Sequence, residues 1–405
     1  MAFRLLRQHL AGHRLPEGFA LRDESAAESS SREGSALRGA SAAESRSREG
    51  FALHDVGTSA ERVVDVVRDT AGIQAQVMSS AETAIWTRRR STTRGEIHAA
   101  LWEQRALVKT SAMRLTLHLI PAPDLPIYIA AMRPSSMATL QRWHTRVGAK
   151  PDHVRAMIDS VVEALADGPR TQQQLIARAK KNAAKGVRAW LDHAWSAVRP
   201  AVIEGAIVYG PPRGAEATFV RADVWLGRQP AVEVSEARAE LLRRFLSAFG
   251  PATAHDFSKW SGIKTSDAKQ VLEGLRAELA QVSVDGAPGW TRRADLKALT
   301  CSELDGSAVR LLGAFDSFLL AHATKAHLVA PRFYKRVYRP QGWISPVVLR
   351  GGTIIGVWSP KSVGKATMLT VELFARARPA LRRAIEREAE QMGAFLGATC
   401  SARFR

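Results

Sequence analysis

The tetrapeptide Gly-Pro-x-Thr opens at Gly168 and again at Gly250, 82 residues apart, and what surrounds it repeats as well. Each copy follows an amphipathic helical stretch, 153–166 in one case and 236–249 in the other. Each threonine then begins a new helix, with Gln174 or Asp256 three residues on to complete a capping box with Thr171 or Thr253. A further helix follows in both, at 187–199 and 266–279. Each copy ends in a hairpin: 202–209 and 217–220 flank GPPRG, and the second turns at Asp285-Gly286. Three helices and a two-stranded wing make a winged-helix unit. A tandem array of them confines the chain to small consecutive units, each with its own core.

A less regular first copy precedes these two. Residues 61–72 place valines 63, 66 and 67 on one helical face and a glycine near the end. Gln74 and Gln76 follow, then a helix from Ser80 to Arg90. Thr93 and Glu96 form a capping box before the stripe Ile97, Ala100, Leu101. Val108–Ile120 reads as two strands, with Leu115, Leu117 and Leu119 on one face and Arg114, Thr116 and His118 on the other. Beyond 306 the pattern turns to strands at 309–320, 342–349, 353–358 and 366–374, with Gly351-Gly352 as a tight turn and a helix over 378–394. The fold class expected is α+β: three tandem winged-helix units and a small C-terminal β-barrel-like domain. The units divide at 58–150, 151–232, 233–305 and 306–405.

The first 57 residues stand apart. Residues 1–14 suggest a short amphipathic helix, and Glu-Gly at 17, 33 and 49 marks a sixteen-residue Ser/Ala/Glu/Arg repeat over 15–57. With almost no aromatic or β-branched residues, such units bury too little apolar surface to offset chain entropy, so this segment is expected to be disordered. Residues 1–60 hold eight Arg against eight Asp or Glu, which leaves the whole +19 on the rest of the chain. That excess favours a polyanion, nucleic acid before an acidic membrane surface. No apolar run approaches the ~20 residues of a membrane span, and the N-terminus lacks a secretion signal, so a cytoplasmic, nucleoid-associated protein is expected.

Several chemistries find no support in the residues. The only cysteines are Cys301 and Cys400, without zinc or iron–sulfur spacing, and His322 and His327 are five apart rather than four. The run Ser359 to Ala366 has Gly364-Lys365 but lacks the first glycine and the Ser/Thr of a phosphate-binding loop. The Ser-x-x-Lys pairs at 261/264 and 266/269 have no companion motifs. Neither a metal nor a cofactor is expected.

Candidate phosphate contacts are the cluster Arg88, Arg89, Arg90 and Arg94, which is otherwise a solvated helix end. Lys180, Lys181, Lys185, Lys259 and Lys264 are further candidates, as are Arg332, Lys335, Arg336 and Arg339. The Arg114/His118 strand face is either plain solvent surface or the lining of a cleft beside Gln74 and Gln76. These two glutamines lie two apart on an extended segment, so both carboxamides point the same way. Glutamine is a poor general base. It serves catalysis only where the leaving group is already activated and the task is to place water and orient dipoles.

GIQAQ at 72–76, AETAIWTR at 81–88 and LVKTSAMRLTLHLIPAPDLP at 107–126 resemble the winged-helix DNA glycosylases of the AlkZ/YcaQ type. LLGAFDSFLLAHATKAHLV at 311–329 and YRPQGWISPVVLRGGTIIGVW at 338–358 are similar to that family's terminal β domain. The resemblance covers 58–395 and leaves only the repeat outside. It implies a C-shaped molecule around double-stranded DNA, acting as a monomer without a cofactor. It also implies monofunctional hydrolysis of the N-glycosidic bond of N7-alkylated purines, including bulky adducts and interstrand crosslinks from alkylating natural products. The family's Gln-x-Gln motif falls on Gln74 and Gln76, and Gln76 rather than Asp places the chain on the AlkZ side. The competing expectation is a tandem winged-helix DNA binder, regulatory or nucleoid-associated, with no catalysis. Regulators usually carry one such unit per subunit and dimerise, which weighs against it.

Overall fold

The computed structural model describes residues 19–21 and 59–405, apart from 147, 193, 303–304 and 364–365. It is a mixed α+β fold in which one succession of elements comes round three times. The expected helix over 1–14 lies outside the described residues, as does the repeat except for Phe19–Leu21. That tripeptide forms a strand (β1).

The first succession runs α1 (Ser59–Asp69), β2 (Ile73–Gln74), α2 (Met78–Arg88), α3 (Arg94–His98), β3 (Leu107–Ser111) and β4 (Leu117–Pro121). Its sheet has the order β2-β4-β3. Val63, Val67, Ile73, Ala75, Ile85, Ile97, Leu101 and Leu119 close a core between helices and sheet. The capping box of Thr93 and Glu96 is present at α3. The predicted strand face over 114–118 is not. Residues 113–115 form a 3-10 turn with Arg114 at φ 55° and Leu115 at φ 62°, so β4 begins only at Leu117.

A 22-residue helix, α4 (Leu125–Arg146), follows, with Pro134 inside it. Its mixed face gives no amphipathic signal, and it joins the first succession to the third. Leu125, Tyr128 and Ala131 pack in one core with Leu241, Phe245 and Trp260.

The second succession is α5 (Pro151–Glu163), β5 (Arg170–Thr171), α6 (Gln172–Asn182), α7 (Lys185–Leu191), α8 (Ala194–Ile203), β6 (Ile207–Arg213) and β7 (Glu216–Arg221). Two helices, α7 and α8, stand where one is expected over 187–199. After the short α9 (Ala222–Leu226), the third comprises α10 (Val234–Phe249), α11 (Ala254–Ser261), α12 (Thr265–Gly274), β8 (Leu279–Val284) and β9 (Ala287–Arg292). Both predicted capping boxes, Thr171–Gln174 and Thr253–Asp256, are formed. The β8–β9 turn has φ 52° at Asp285 and 78° at Gly286, the pair of positive values that a tight hairpin needs. In place of a first short strand, Ala252 bridges Trp290, and β1 adds to the outer edge of β8.

After α13 (Leu296–Thr300) comes a five-stranded sheet of β10 (Val309–Leu312), β11 (Val347–Arg350), β12 (Thr353–Val363), β13 (Ala366–Leu373) and β14 (Thr399–Phe404). Residues 317–320, expected as strand, form the helical turn α14 (Ser317–Leu320), and a second one is α15 (Tyr334–Val337). The helix α16 (Pro379–Leu396) crosses back so that β14, a strand beyond those expected, lies parallel to β13. Trp86 of α2 packs into the core of this sheet with Trp358, Leu369 and Ile385, so the Gln-bearing unit and the C-terminal sheet share apolar surface. Among the described residues, no helix is long and apolar enough to cross a membrane.

Candidate active site

The segment carrying the glutamines is placed by the way α1 ends. Thr70 Oγ1 donates back to the Val66 carbonyl at 2.8 Å, and Ala71 (φ 49°) and Gly72 (φ 92°) turn the chain through left-handed conformations. Glycine is needed at 72, where a Cβ would stand 3.3 Å from Ile120 Cγ2 and 3.4 Å from the Leu119 carbonyl oxygen. The chain enters β2 directly, with Ile73 opposite Leu119 and Gln74 opposite His118. Ile73 and Ala75 enter the core. Gln74 is buried and Gln76 is exposed.

Each carboxamide oxygen already has a donor. Arg114 Nη2 donates to Gln74 Oε1 at 3.0 Å, and the Leu117 backbone N–H donates to Gln76 Oε1 at 3.4 Å. A second guanidinium nitrogen, Arg114 Nη1, donates to the Trp260 carbonyl at the end of α11. Burial lowers the Arg114 pKa to about 10, which still leaves it cationic at neutral pH. His118 Nδ1 lies 2.9 Å from the Thr116 carbonyl. A carbonyl only accepts, so Nδ1 carries the proton and Nε2 is an acceptor. Burial first, then the Arg114 charge, pushes the His118 pKa down to about 3, and the ring is neutral at physiological pH.

From the C-terminal region Lys325 reaches the same place, its Nζ donating to the His322 carbonyl. Burial and the charge of Arg114 lower its pKa to about 8, opposed by Asp256. Asp256 anchors that loop by accepting from the Ala323 N–H at 2.8 Å, while its other oxygen caps α11. Sequence reasoning passes over Lys325. Its one signal there is that of a lone cation in the apolar run 311–329.

A cavity of about 230 Å³ opens beside Gln76, between the first and second successions. Gln76, Ser111, Arg114 and Thr116 form one wall and Val198, Arg199, Val202 and Tyr209 the other. Its lining holds two guanidiniums and no carboxylate among the described residues.

The expected phosphate contacts divide sharply. Arg88 forms a bidentate pair with Asp316, both side chains fully buried, while Arg114 lines the cavity with its guanidinium on Gln74 and the Trp260 carbonyl, and His118 is buried. Arg90 pairs with Glu388 at 2.7 Å and covers the Trp86 ring, Arg94 pairs with Glu82 at 2.8 Å, Lys180 with Asp192, and Arg336 with Glu372. Arg89 is partly buried. Lys181, Lys259, Lys264, Arg332 and Lys335 are exposed. These five suit phosphate contact.

The model of the AlkZ-like DNA glycosylases matches residues 67–395. The chain belongs to the AlkZ-like DNA glycosylase family. An interstrand DNA cross-link repair glycosylase of Streptomyces sahachiroi is 32% identical to it over 312 residues, 73% of this chain and 81% of that one. The solved structure of the Streptomyces sahachiroi DNA glycosylase AlkZ superposes with a TM-score of 0.75 at 27% identity, over 85% of this chain and 94% of the other. The resemblance seen in the residues is therefore that of a member. Family membership makes the chain a glycosylase and leaves the non-catalytic DNA binder without support.

Proposed function

We propose that this glycosylase hydrolyses the N-glycosidic bond of N7-alkylated purines in double-stranded DNA, among them bulky adducts and interstrand crosslinks, with Gln74 and Gln76 as its catalytic residues. The observation that carries this is that Arg114, which donates to the Gln74 carboxamide on β2, lines with Gln76 a cavity whose described lining carries no carboxylate. An N7-alkylpurine is cationic, so its glycosidic bond is weakened before the enzyme acts. A strong acid or base is not required, and what remains is to hold water at C1′ and stabilise the sugar cation, work that fixed amides can do. The name of the Streptomyces relative, a cross-link repair glycosylase, supports extending the substrate to crosslinks.

In this account the three successions are tandem winged helices. With the five-stranded sheet they form a C-shaped cradle for the duplex, as a cofactor-independent monomer associated with the nucleoid. The units correspond to 58–150, 151–232, 233–305 and 306–405. The threefold recurrence of helices closing on a three-stranded sheet supports this division. A lesion too bulky to enter a snug pocket is read in place rather than extruded.

The test is release of free base from duplex DNA treated with agents ranging from simple methylators to bifunctional crosslinkers. Release of 7-alkylguanine, with crosslinked duplex converted to single strands on heating, supports the proposal. Binding to each substrate with every base left attached would refute it.

A further inference from the structure

We propose that Arg114 is a positioning residue of this site, which acts on the reaction only through the carboxamide of Gln74. The inference rests on the catalytic reading of Gln74. Its guanidinium bridges two acceptors remote in sequence, Gln74 Oε1 forty residues away at 3.0 Å and the Trp260 carbonyl 146 residues away. The terminal torsion of a glutamine is broad and two-fold, so an unrestrained amide presents N–H or C=O almost indifferently. A guanidinium has donors only, so its partner atom on Gln74 must be the oxygen. That fixes Nε2 and the remaining lone pair of Oε1 as the groups left for the substrate water. The charge on Arg114 also polarises the amide it holds.

The chain accepts unfavourable backbone to put the guanidinium there. Arg114 and Leu115 both have positive φ, at 55° and 62°, a conformation that non-glycine residues seldom adopt. Such conformations persist where surrounding structure imposes them, often at functional sites. Here the turn is held by Ala112 N–H to the Thr116 carbonyl at 3.0 Å and by Thr116 N–H to the Met113 carbonyl at 3.1 Å. Gly262, at φ 88°, lies beneath it, and a Cβ there would stand 3.3 Å from both the Arg114 Cα and N. The glycine lets the end of α11 approach closely enough for the Trp260 carbonyl to be reached.

A double-mutant cycle separates this role from a phosphate contact. Single-turnover release of 7-methylguanine is measured for Gln74→Ala, Arg114→Met and the double variant, together with DNA affinity at several salt concentrations. Arg114→Met is expected to slow release by at least about tenfold, since misplacing a catalytic group by 1 Å can cost about 10²-fold. The double variant should be no slower than Gln74→Ala alone, and affinity and its salt slope should stay at the wild-type values. Arg114→Lys, a point charge that reaches only one acceptor, should recover part of the rate. Gly262→Ala should slow release with the guanidinium still present, and these two variants carry the test if Arg114→Met does not fold.

Additive losses in the double variant, or a shallower salt slope in Arg114→Met, would show Arg114 acting on DNA directly and overturn the proposal. A full rate in Arg114→Met where Gln74→Ala is inactive would overturn it as well. A full rate in Gln74→Ala instead sinks the catalytic assignment itself, whatever Arg114 does.

Discussion

Arg88 and Asp316, 228 residues apart in the chain, meet in a bidentate ion pair at 2.7 and 2.9 Å with neither side chain exposed to solvent. Asp316 also accepts from the Phe318 N–H at 2.9 Å, and Arg88 donates to the Ala84 carbonyl at 2.9 Å. Next to the pair, Ser317 Oγ donates to the Gly72 carbonyl at 3.2 Å. The loop that follows β10 is thereby fastened to the residue that leads into Gln74. The C-terminal sheet thus holds the proposed catalytic segment in place.

Removing either partner leaves an uncompensated buried charge. Arg88→Ala and Asp316→Ala are each expected to cost about 3–5 kcal/mol of stability, read from urea denaturation at pH 7. A loss under about 1 kcal/mol would mean that the pair does not join the two regions.

If the exposed cations hold phosphates as proposed, the salt dependence of DNA binding reports them. Lys259 lies in the last turn of α11 and Lys264 immediately precedes α12, and both are exposed. A substitution that frees one phosphate from its cation should reduce the slope of log K against log salt by about 0.9. The double variant Lys259→Ala/Lys264→Ala should show close to two such reductions, measured by fluorescence anisotropy between low and physiological salt. An unchanged slope would take this helix pair out of the interface.

His118 makes acid stability a test of the site's burial. Its folded pKa of about 3 lies below the ordinary 6.5, so below pH 6.5 the unfolded chain takes up a proton that the native ring refuses. Stability from this group is therefore lost as pH falls from 6.5 toward 3, at up to about 1.4 kcal/mol per pH unit. Between pH 6 and 4, His118→Gln should show a shallower loss than wild type by that amount. Parallel curves would show that the histidine takes up a proton in the folded state.

The parts of the fold that show in the sequence are those fixed by neighbours within four residues. The capping boxes at Thr93, Thr171 and Thr253 and the Asp285-Gly286 turn are all formed, because each is closed by local hydrogen bonds or local φ. The α4 helix escapes a sequence reading because its core face is set by α10, more than a hundred residues on. The apparent strand alternation at 114–118 misleads for a related reason. The left-handed turn at Arg114 and Leu115 packs against Gly262 and donates to the Trp260 carbonyl, distant contacts that no local pattern encodes. Likewise Arg88, Arg114 and Lys325 look like free cations, or draw no notice, until Asp316, Gln74 and Asp256 come near them in space. The Gln-x-Gln spacing is local and is read directly from the chain, whereas the groups that surround it, Arg114, Asp256 and Lys325, come from distant segments.

The most direct test of the whole account is single-turnover release of 7-alkylguanine from duplex DNA by Gln74→Ala and Gln76→Ala, with DNA affinity measured alongside. Each variant should lose about 10²-fold or more in rate, the scale of removing one pre-organised polar group from an active site, while binding DNA as tightly as wild type. Release at the wild-type rate by both variants would contradict it.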